Sequence, residues 1–463
     1  MGACFCGEWD RRRWFKRFCL INWPLLIVLP LVINQASNSS VRQLGLRPHC
    51  ITAGCQLGYI KCQTLFESLW IMLKTWQSLL VTLTVTLPTF AYADLSDKFI
   101  DPEDGQVDAS NFLAEVPHGF LPVPGIITEP AVGAGLALGA LFFHESEEQR
   151  KQRTQNKALL PENISIVAGM GTENGTWAGA IGHLGFWLDD TLRYRGVLAY
   201  ASPNLEFYSL PRTGDLSQPI ELNLRGPVVF QDLKYRLPDT HVFVGGRQLY
   251  RKVQGELANS PDLSRLPLAV QDYIESNSVR SATTSGLGLV LEYDSRDNPF
   301  NPQHGYYYSS NYTVFDDAIG SDYDYSSYQL SGLNYWELND QWNLGLRVQV
   351  DGVNARGSDD LPPYVPPFID LRGVPKSRYQ GTRVGVAEIQ LDYKINQRWK
   401  LGFFTGTGRA ADDFSDFSDA EEVNTVGGGF RYMIARRYGL VMGVDVARGP
   451  EDTALYIQTG STW

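Results

Sequence analysis

The chain has no cysteine after Cys62, although its first 62 residues contain six. A cysteine-free region of this length forms no disulfide bonds and offers no thiolate ligands, which excludes a disulfide-rich fold and a cysteine metal site there. No apolar run of 18 residues follows Ala93 either, and this excludes a transmembrane helix from the same region.

Basic residues are fewer than acidic residues. The chain has 40 Lys and Arg against 51 Asp and Glu, a formal net charge of -11. Nine of the basic and three of the acidic residues lie in residues 1–93, which leaves 31 basic and 48 acidic residues, a net charge of -17, for the rest. Nucleic-acid binding needs a basic excess that neutralises phosphates, so no nucleic-acid partner is predicted.

Sequence motifs of catalysis and metal binding are absent as well. The chain contains no P-loop, no GxSxG and no HExxH pattern. The acidic stretch from Asp101 to Asp108 lacks the alternating ligands of a calcium loop and is interpreted as a solvated acidic turn. Neither a cofactor nor a metal site is predicted, because the histidines after Ala93 form no ligand pattern; they are His118, His144, His183, His241 and His304.

The stretch 72–93, MLKTWQSLLVTLTVTLPTFAYA, has the form of a secretory signal peptide. It has a positive Lys74, a short apolar core and a small-x-small site that predicts cleavage between Ala93 and Asp94. Since 71 residues precede it, residues 1–71 are interpreted as an over-extended N-terminus, with Met72 as the initiator. The alternative is an earlier signal or anchor in residues 11–33, where three arginines precede an apolar run.

After Ala93, short segments alternate apolar with polar residues, which is the period-2 pattern of β-strands. Between Gln341 and Val353, for example, every second residue from Trp342 to Val350 is apolar. We expect about sixteen strands, near residues 119–128, 132–143, 163–172, 175–187, 190–208, 219–237, 242–255, 281–295, 305–316, 322–338, 341–353, 383–395, 398–410, 424–436, 438–449 and 453–463.

These segments are long for a soluble sandwich, whose strands usually have about five or six residues. Strands that cross a bilayer need about 9 to 11 residues and carry aromatic residues at their ends. Aromatic residues crowd the predicted strand ends at Tyr306, Tyr307, Tyr308, Tyr323, Tyr325, Tyr328, Trp336 and Trp342. The fold class predicted is therefore all-β: a transmembrane antiparallel β-barrel over residues 119–463, preceded by a short acidic periplasmic leader at 94–118.

Four sequence features resemble one family of such barrels. Pro362–Gly381 is a long connection that contains Arg372-Gly373, and five predicted strands follow it. Tyr293–Phe300 (YDSRDNPF) and Gly427–Tyr432 (GGGFRY) are further matches, and the chain ends on the aromatic Trp463. In this order they are similar to the BamA/TamA superfamily, also called the bacterial surface antigen family. The resemblance implies 16 strands and a long sixth extracellular loop, between strands 11 and 12, that folds into the lumen.

The resemblance also implies roles for particular residues. Arg372 and Gly373 would be the loop-six motif, and Glu388, on the lumen-facing side of the next strand, would be the partner of Arg372. Trp463 would be the C-terminal signal for the barrel-assembly machinery. The sequence departs from the family at 404–408, FTGTG, where the family often has Phe-x-Asp-x-Gly. It also departs in its leader, which is too short for the POTRA domains that usually precede such barrels.

Three functions are open at this point. The resemblance implies a non-enzymatic role in the insertion or translocation of outer-membrane proteins or lipids, in the outer membrane of a Gram-negative bacterium. Its partners would be outer-membrane lipid, lipopolysaccharide and the assembly machinery, around a monomeric barrel with an unknown client. The alternatives are a passive channel or structural surface antigen and, ranked last, an enzyme that acts on lipid. That enzyme needs a Ser or Asp beside a His at the lipid face, and the sequence shows no such pair.

Overall fold

The computed structural model describes residues 99–114, 120–146, 163–210, 214–258, 281–357 and 361–463, together with a few isolated positions. The predictions for residues 1–71, for the signal peptide at 72–93 and for cleavage between Ala93 and Asp94 lie outside the described residues. No helix in the described part of the chain is long and apolar enough to cross a membrane.

The described residues form one short α-helix, three 3-10 helices (Asp317–Ile319, Phe414–Ser418 and Arg436–Tyr438) and a meander of long strands. Helix α1 covers Ser110–Ala114, and the strands are β1 Phe120–Ile127, β2 Gly135–Phe143, β3 Asn163–Thr172, β4 Trp177–Trp187, β5a Leu192–Ser202, β5b Asn204–Leu210, β6 Gly214–Arg236, β7 Val242–Leu257, β8 Ser281–Asp294, β9 Gly305–Phe315, β10 Tyr325–Asn339, β11 Trp342–Ala355, β12 Arg383–Lys394, β13 Trp399–Ala411, β14 Val423–Ala435, β15 Leu440–Arg448 and β16 Thr453–Thr459.

β5a and β5b are two halves of one barrel strand. Pro203 separates them, and both pair with β6 in one continuous register, from Ala201↔Gly226 to Asn204↔Asn223. Proline has no N–H and so interrupts the ladder without ending the strand. The barrel therefore has sixteen antiparallel strands, which confirms the predicted fold class.

Each strand pairs with the next one along the chain, from β1–β2 to β15–β16. Cα atoms of β1 and β16 approach within 8 Å, but among the described residues no ladder register joins these two strands. β1 contains Pro122 and Pro124, which cannot donate a ladder hydrogen bond. The barrel is therefore nearly closed, with a seam between its first and last strands.

The two ends of the barrel differ. At one end, here called the turn end, the connections β4–β5a, β6–β7, β10–β11, β12–β13 and β14–β15 have at most five residues. The opposite end, the loop end, carries the long β11–β12 connection, residues 356–382, which we call loop six. Because hairpins alternate between ends along a meander, a connection between strands 11 and 12 lies opposite the short turns.

Alternate residues face outward and inward. Apolar side chains such as Leu136, Leu289 and Phe403 are exposed on the outer face, as a lipid-facing surface requires. Aromatic rings meet there near the turn end, for example Tyr306 with Trp336 and Trp342 with Tyr393. The girdle prediction is wrong for Tyr307 and Tyr325, because their position in the alternation turns them inward. Tyr307 donates to Glu292, and the Tyr325 ring stacks 4.1 Å from that of Phe315.

Candidate functional site: loop six inside the lumen

Loop six folds into the barrel and carries its own apolar contacts. Ile369, Leu371 and Val374 of the loop are buried against the inward faces of β12 and β14, where they meet Val384, Val386 and Val423. Burying side chains of this kind contributes roughly 1.5–3 kcal/mol each. The loop is thus held by packing as well as by charge, and the prediction of an inward-folding loop between strands 11 and 12 is confirmed.

Arg372 is the charged centre of this contact, and only 9% of it is exposed. One guanidinium nitrogen, Nη2, lies 2.8 Å from Glu388 Oε1 on β12. The other, Nη1, lies 2.8 Å from Asp445 Oδ2 on β15. The guanidinium carbon also sits 3.3 Å from the ring centroid of Phe404, so a cation–π contact adds to the two ion pairs.

The backbone next to Arg372 requires glycine at position 373 for two reasons. Its φ is +92°, which L side chains rarely adopt, and a Cβ there would lie 2.9 Å from the backbone nitrogen of Gly449. This close approach lets the Gly373 N–H donate to the Tyr456 hydroxyl on β16 at 2.9 Å. The Arg-Gly pair therefore connects loop six to both β15 and β16.

A second arginine balances the charge. Arg431 on β14 binds Asp445 through both guanidinium nitrogens, at 2.6 and 2.7 Å. The buried set of Arg372, Arg431, Glu388 and Asp445, which we call the lumen lock, is neutral overall. Mutual neutralisation is the condition under which charges are tolerated out of water.

Trp463 joins the lumen lock from the C-terminus. The last ladder pair on β16 is at Thr459, and a turn at Gly460 (φ +88°) directs the final residues into the lumen. The Trp463 indole N–H donates to Glu388 Oε1 at 2.5 Å, so this oxygen accepts from both Trp463 and Arg372. The structure places Trp463 inside the barrel; its role as an assembly signal stays a prediction.

Sequence reasoning missed two of these residues, Asp445 and Arg431. The family pattern puts an Asp at the place of Gly406, but a Cβ at Gly406 would lie only 2.9 Å from Leu371 Cδ2. The loop side chain therefore occupies that space, and the second carboxylate comes from β15 instead. The signal was available, because Asp445 is the one acidic residue at the inward positions of β15, between the outward Val444 and Val446.

Loop six reaches the other side of the seam as well. Arg378 pairs with Glu451, in the β15–β16 connection, at 2.5 Å and lies 4.2 Å from the ring centroid of Tyr208 on β5b. The Ser377 hydroxyl donates to the Glu206 carbonyl at 2.8 Å. Below the loop lies a lumen cavity of about 420 Å³ whose lining includes Arg372, Tyr456 and Trp463.

A separate ionic cluster lies at the turn end, where the leader packs against the barrel. Arg398, in the β12–β13 turn and 2% exposed, contacts Asp101, Asp104 and Asp108 at 2.5, 2.6 and 2.5 Å. Arg436, in the β14–β15 turn, pairs with Asp101 at 2.9 Å. We call these five residues the leader clamp.

The leader clamp corrects one prediction. The interpretation of this stretch as a solvated acidic turn is wrong for Asp101 and Asp108, which are 6% and 5% exposed. Hydrogen bonds from Arg398 hold the pKa of Asp104 below its usual value. At Asp108, burial acts to raise the pKa, but hydrogen bonds from Ser110, Arg436 and Arg398 outweigh burial and lower the pKa. Both carboxylates are therefore ionised partners of arginine.

One cluster has the composition of a metal site. Carboxylate oxygens of Asp316, Asp317 and Asp324, in the β9–β10 connection, lie within 4.8 Å of one another. Contacts within the protein explain this arrangement, because Asp316 pairs with Arg356 at 3.3 Å and Asp324 accepts from the Asp317 backbone. Hydrogen bonding within the loop thus accounts for the cluster without an ion.

Comparison with known proteins agrees with the fold. Residues 230–365 match the Omp85 superfamily domain. BamA from Haemophilus ducreyi, in a form lacking POTRA domains 1–3, is similar at a TM-score of 0.50 and 10% identity, over 74% of this chain and 69% of that one. CdiB from Escherichia coli is similar at a TM-score of 0.46 and 11% identity, over 73% and 61% of the two chains. The search of curated proteins gives no match.

The matched domain runs from β6 into loop six, so it includes the strands that precede the Arg372-Gly373 motif. The likeness to the BamA barrel, at low identity, adds the same fold over most of the chain. Such barrels are characteristic of bacterial outer membranes. The chain therefore has a BamA-like β-barrel fold, and its residues 230–365 resemble the Omp85 superfamily domain.

Proposed function

We propose that this barrel takes part in inserting or translocating outer-membrane proteins or lipids, and that it does so without covalent chemistry in its lumen. The observation that carries the proposal is the seam: β1 and β16 lie close together, yet no ladder joins them among the described residues. Unpaired strand edges are templates for pairing with another chain. An incoming strand or lipid would enter at this edge.

The contacts that loop six makes with the barrel wall are the second support for the proposal. Arg372 and Gly373 tie loop six to β15 and β16, the strands on one side of the seam. Arg378 and Ser377 tie the same loop to β5b, on the other side. Loop six would thus hold the seam from inside and block the lumen, and its release would allow both to open.

A passive channel is the second candidate, and a specific observation favours it in part: a cavity of about 420 Å³ remains in the lumen beneath loop six. A steady pore, however, needs an open path past the loop. Loop six is buried against β12, β14 and β15 through Leu371 and Arg372, and it also contacts β5b through Ser377, which argues for a closed lumen at rest.

Other parts of the interpretation belong to the same proposal. Residues 1–71 would be an over-extended N-terminus, 72–93 a signal peptide and 94–118 a periplasmic leader, which puts the turn end in the periplasm. A monomeric barrel would contact outer-membrane lipid and lipopolysaccharide. The barrel-assembly machinery would insert it, with Trp463 as the signal.

The first experiment compares the wild-type protein with Arg372→Ala in planar bilayers and in liposomes that take up an unfolded outer-membrane protein. We expect a closed wild type, a flickering pore in the variant and altered client insertion. The matched control is Arg247→Ala, because Arg247 is a lumen arginine paired with Asp232 outside loop six. A steady open pore with the same conductance in the wild type and in Arg372→Ala, together with no client insertion, would support the channel instead.

A further inference from the structure

A serine lies between two histidines on the outer face of the barrel. Ser165 Oγ on β3 is 2.8 Å from Nε2 of His144, which follows β2, and 3.2 Å from Nδ1 of His183 on β4. These residues are 21 and 18 positions from Ser165, and no sequence motif joins them. The strand pairing alone brings them together.

The three side chains lie on the lipid-facing surface of the barrel. Ser165 pairs across the β2–β3 ladder with Phe142 and is two residues from Val167, and His183 is two residues from Ile181. The side chains of Phe142, Val167 and Ile181 are exposed on the outer face. Alternation along each strand puts Ser165 and His183 on this face too.

The depth of the cluster is that of the membrane interface. Ser165 is the third residue of β3, close to the turn end, and His183 is four residues from the end of β4 at Trp187. The Trp187 ring stacks on Tyr194 at 5.9 Å, and such aromatic residues mark the level of the lipid head groups. The ester groups of a phospholipid lie at this level, between the head group and the acyl chains.

The two imidazoles must play different hydrogen-bonding roles towards Ser165 Oγ. A serine hydroxyl has one proton, so only one histidine can accept it, and the other can only donate to Oγ. When His144 Nε2, the nearer nitrogen at 2.8 Å, accepts the serine proton, His183 Nδ1 is the donor. The His183 ring is held in place by Trp187 and Tyr194, whose centroids lie 6.4 and 6.2 Å away.

We propose that Ser165, His144 and His183 form a hydrolytic site for the acyl esters of membrane phospholipids. Ser165 Oγ attacks the ester carbonyl carbon while His144 Nε2 takes its proton, and His183 Nδ1–H donates to the carbonyl oxygen as negative charge develops there. The ester C–O bond then breaks, and His144 returns the proton to the departing lysolipid alkoxide. Water hydrolyses the acyl-serine, releases the fatty acid and restores the Ser165 hydroxyl.

The surroundings suit this class of substrate. Phe142, Val167 and Ile181 form an apolar surface beside the serine on which acyl chains can lie. The site also uses none of the lumen lock residues, so its activity is independent of the function proposed above.

The test uses a fluorophosphonate probe and phosphatidylethanolamine vesicles with the full chain. We expect the probe to label Ser165, as peptide mapping would show, and the vesicles to release fatty acid and lysolipid. Ser165→Ala should abolish labelling, and His144→Phe should slow both reactions by about 100-fold, the usual contribution of a general base. The matched control is Ser310→Ala, because Ser310 occupies an outward position of β9, opposite Leu330.

Folding is checked by heat-modifiable migration of each variant. A folded wild type that neither reacts with the probe nor releases fatty acid would overturn the proposal. So would labelling that survives in folded Ser165→Ala or is equal in His144→Phe and the wild type. Insertion of a client protein, measured on the same samples, should be unchanged in Ser165→Ala, which separates this proposal from the lumen function.

Discussion

The molecule contains two buried arginine sites that are built differently. In the lumen lock, Arg372 contacts two carboxylates on separate strands, and a second arginine makes the set neutral. In the leader clamp, Arg398 contacts three carboxylates from one eight-residue stretch, Asp101–Asp108, and Arg436 only partly balances them. The first site ties the barrel wall to its own loop, and the second holds a peripheral segment by charge.

This difference has a physical consequence. Each charged side chain of the lumen lock is at most 9% exposed, so dissolved salt screens its ion pairs little. In the leader clamp, Asp104 and Arg436 remain in contact with water, and the carboxylates exceed the arginines by one. Screening and protonation should therefore act on the leader clamp first. Substitutions at the two sites should therefore differ in effect, with the largest loss of stability at Arg372.

Replacing Arg372 by Ala should have the largest effect on stability. Glu388 and Asp445, 1% and 2% exposed, would each lose a buried charged partner. Breaking a buried pair in this way costs about 3–5 kcal/mol. The measurement is the free energy of unfolding in guanidinium with lipid vesicles. Arg247→Ala is the control, and an equal loss in both variants would show that loop six contributes no special stability.

Replacing Arg398 by Met should cost less, about 2–3 kcal/mol, because part of the leader clamp can rehydrate. The expected change is local: residues 99–114 become accessible to protease while the barrel still migrates as a folded species. Limited proteolysis with mass spectrometry measures this. A barrel that unfolds together with its leader would show that the two form one cooperative unit.

Acid should release the leader before it affects the lumen lock. The pKa values of Asp104 and Asp108 are lowered in the folded protein, so their contribution to stability is present above the unfolded value of about 3.9 and is lost as pH falls below it. Leader proteolysis should therefore rise below about pH 4. In Arg398→Met this dependence should flatten, and a profile equal to the wild type would contradict the assignment.

The smallest effect is expected at Arg378. Its pair with Glu451 is partly exposed, with side chains 25% and 38% accessible, and such pairs contribute about 0–1 kcal/mol. Arg378→Gln should thus lower unfolding stability by less than about 1 kcal/mol, and 1 M salt should remove the difference. A salt-independent loss above this range would mean that the Tyr208 contact, rather than the ion pair, holds the loop.

Much of the barrel could be predicted because its signal is local. Alternation of apolar and polar residues needs no knowledge of distant partners, and it located the segments that form the sixteen strands. The same alternation put Glu388 on the inward face of β12, where it lies 2.8 Å from Arg372. The girdle prediction was wrong for Tyr325 because it rested on the crowding of aromatic residues and took no account of this alternation.

The pairing of distant residues could not be read from the sequence. Asp445 lies 73 positions from Arg372, Asp101 lies 297 from Arg398, and Ser165 lies 21 from His144. Each contact depends on which strands are neighbours and in what register, and a shift of one residue would turn every side chain to the opposite face.

The sequence by itself therefore determined the strands, their inward and outward faces and the place of loop six, because these follow from a two-residue period and from chain order. Only the tertiary structure decided which carboxylates neutralise Arg372 and Arg398, that Trp463 turns into the lumen, and that Ser165 meets two histidines. Strand register brings Ser165 beside the two histidines, the inward fold of loop six and of the C-terminus builds the lumen lock, and packing of the leader on the turn end brings Arg398 to its carboxylates.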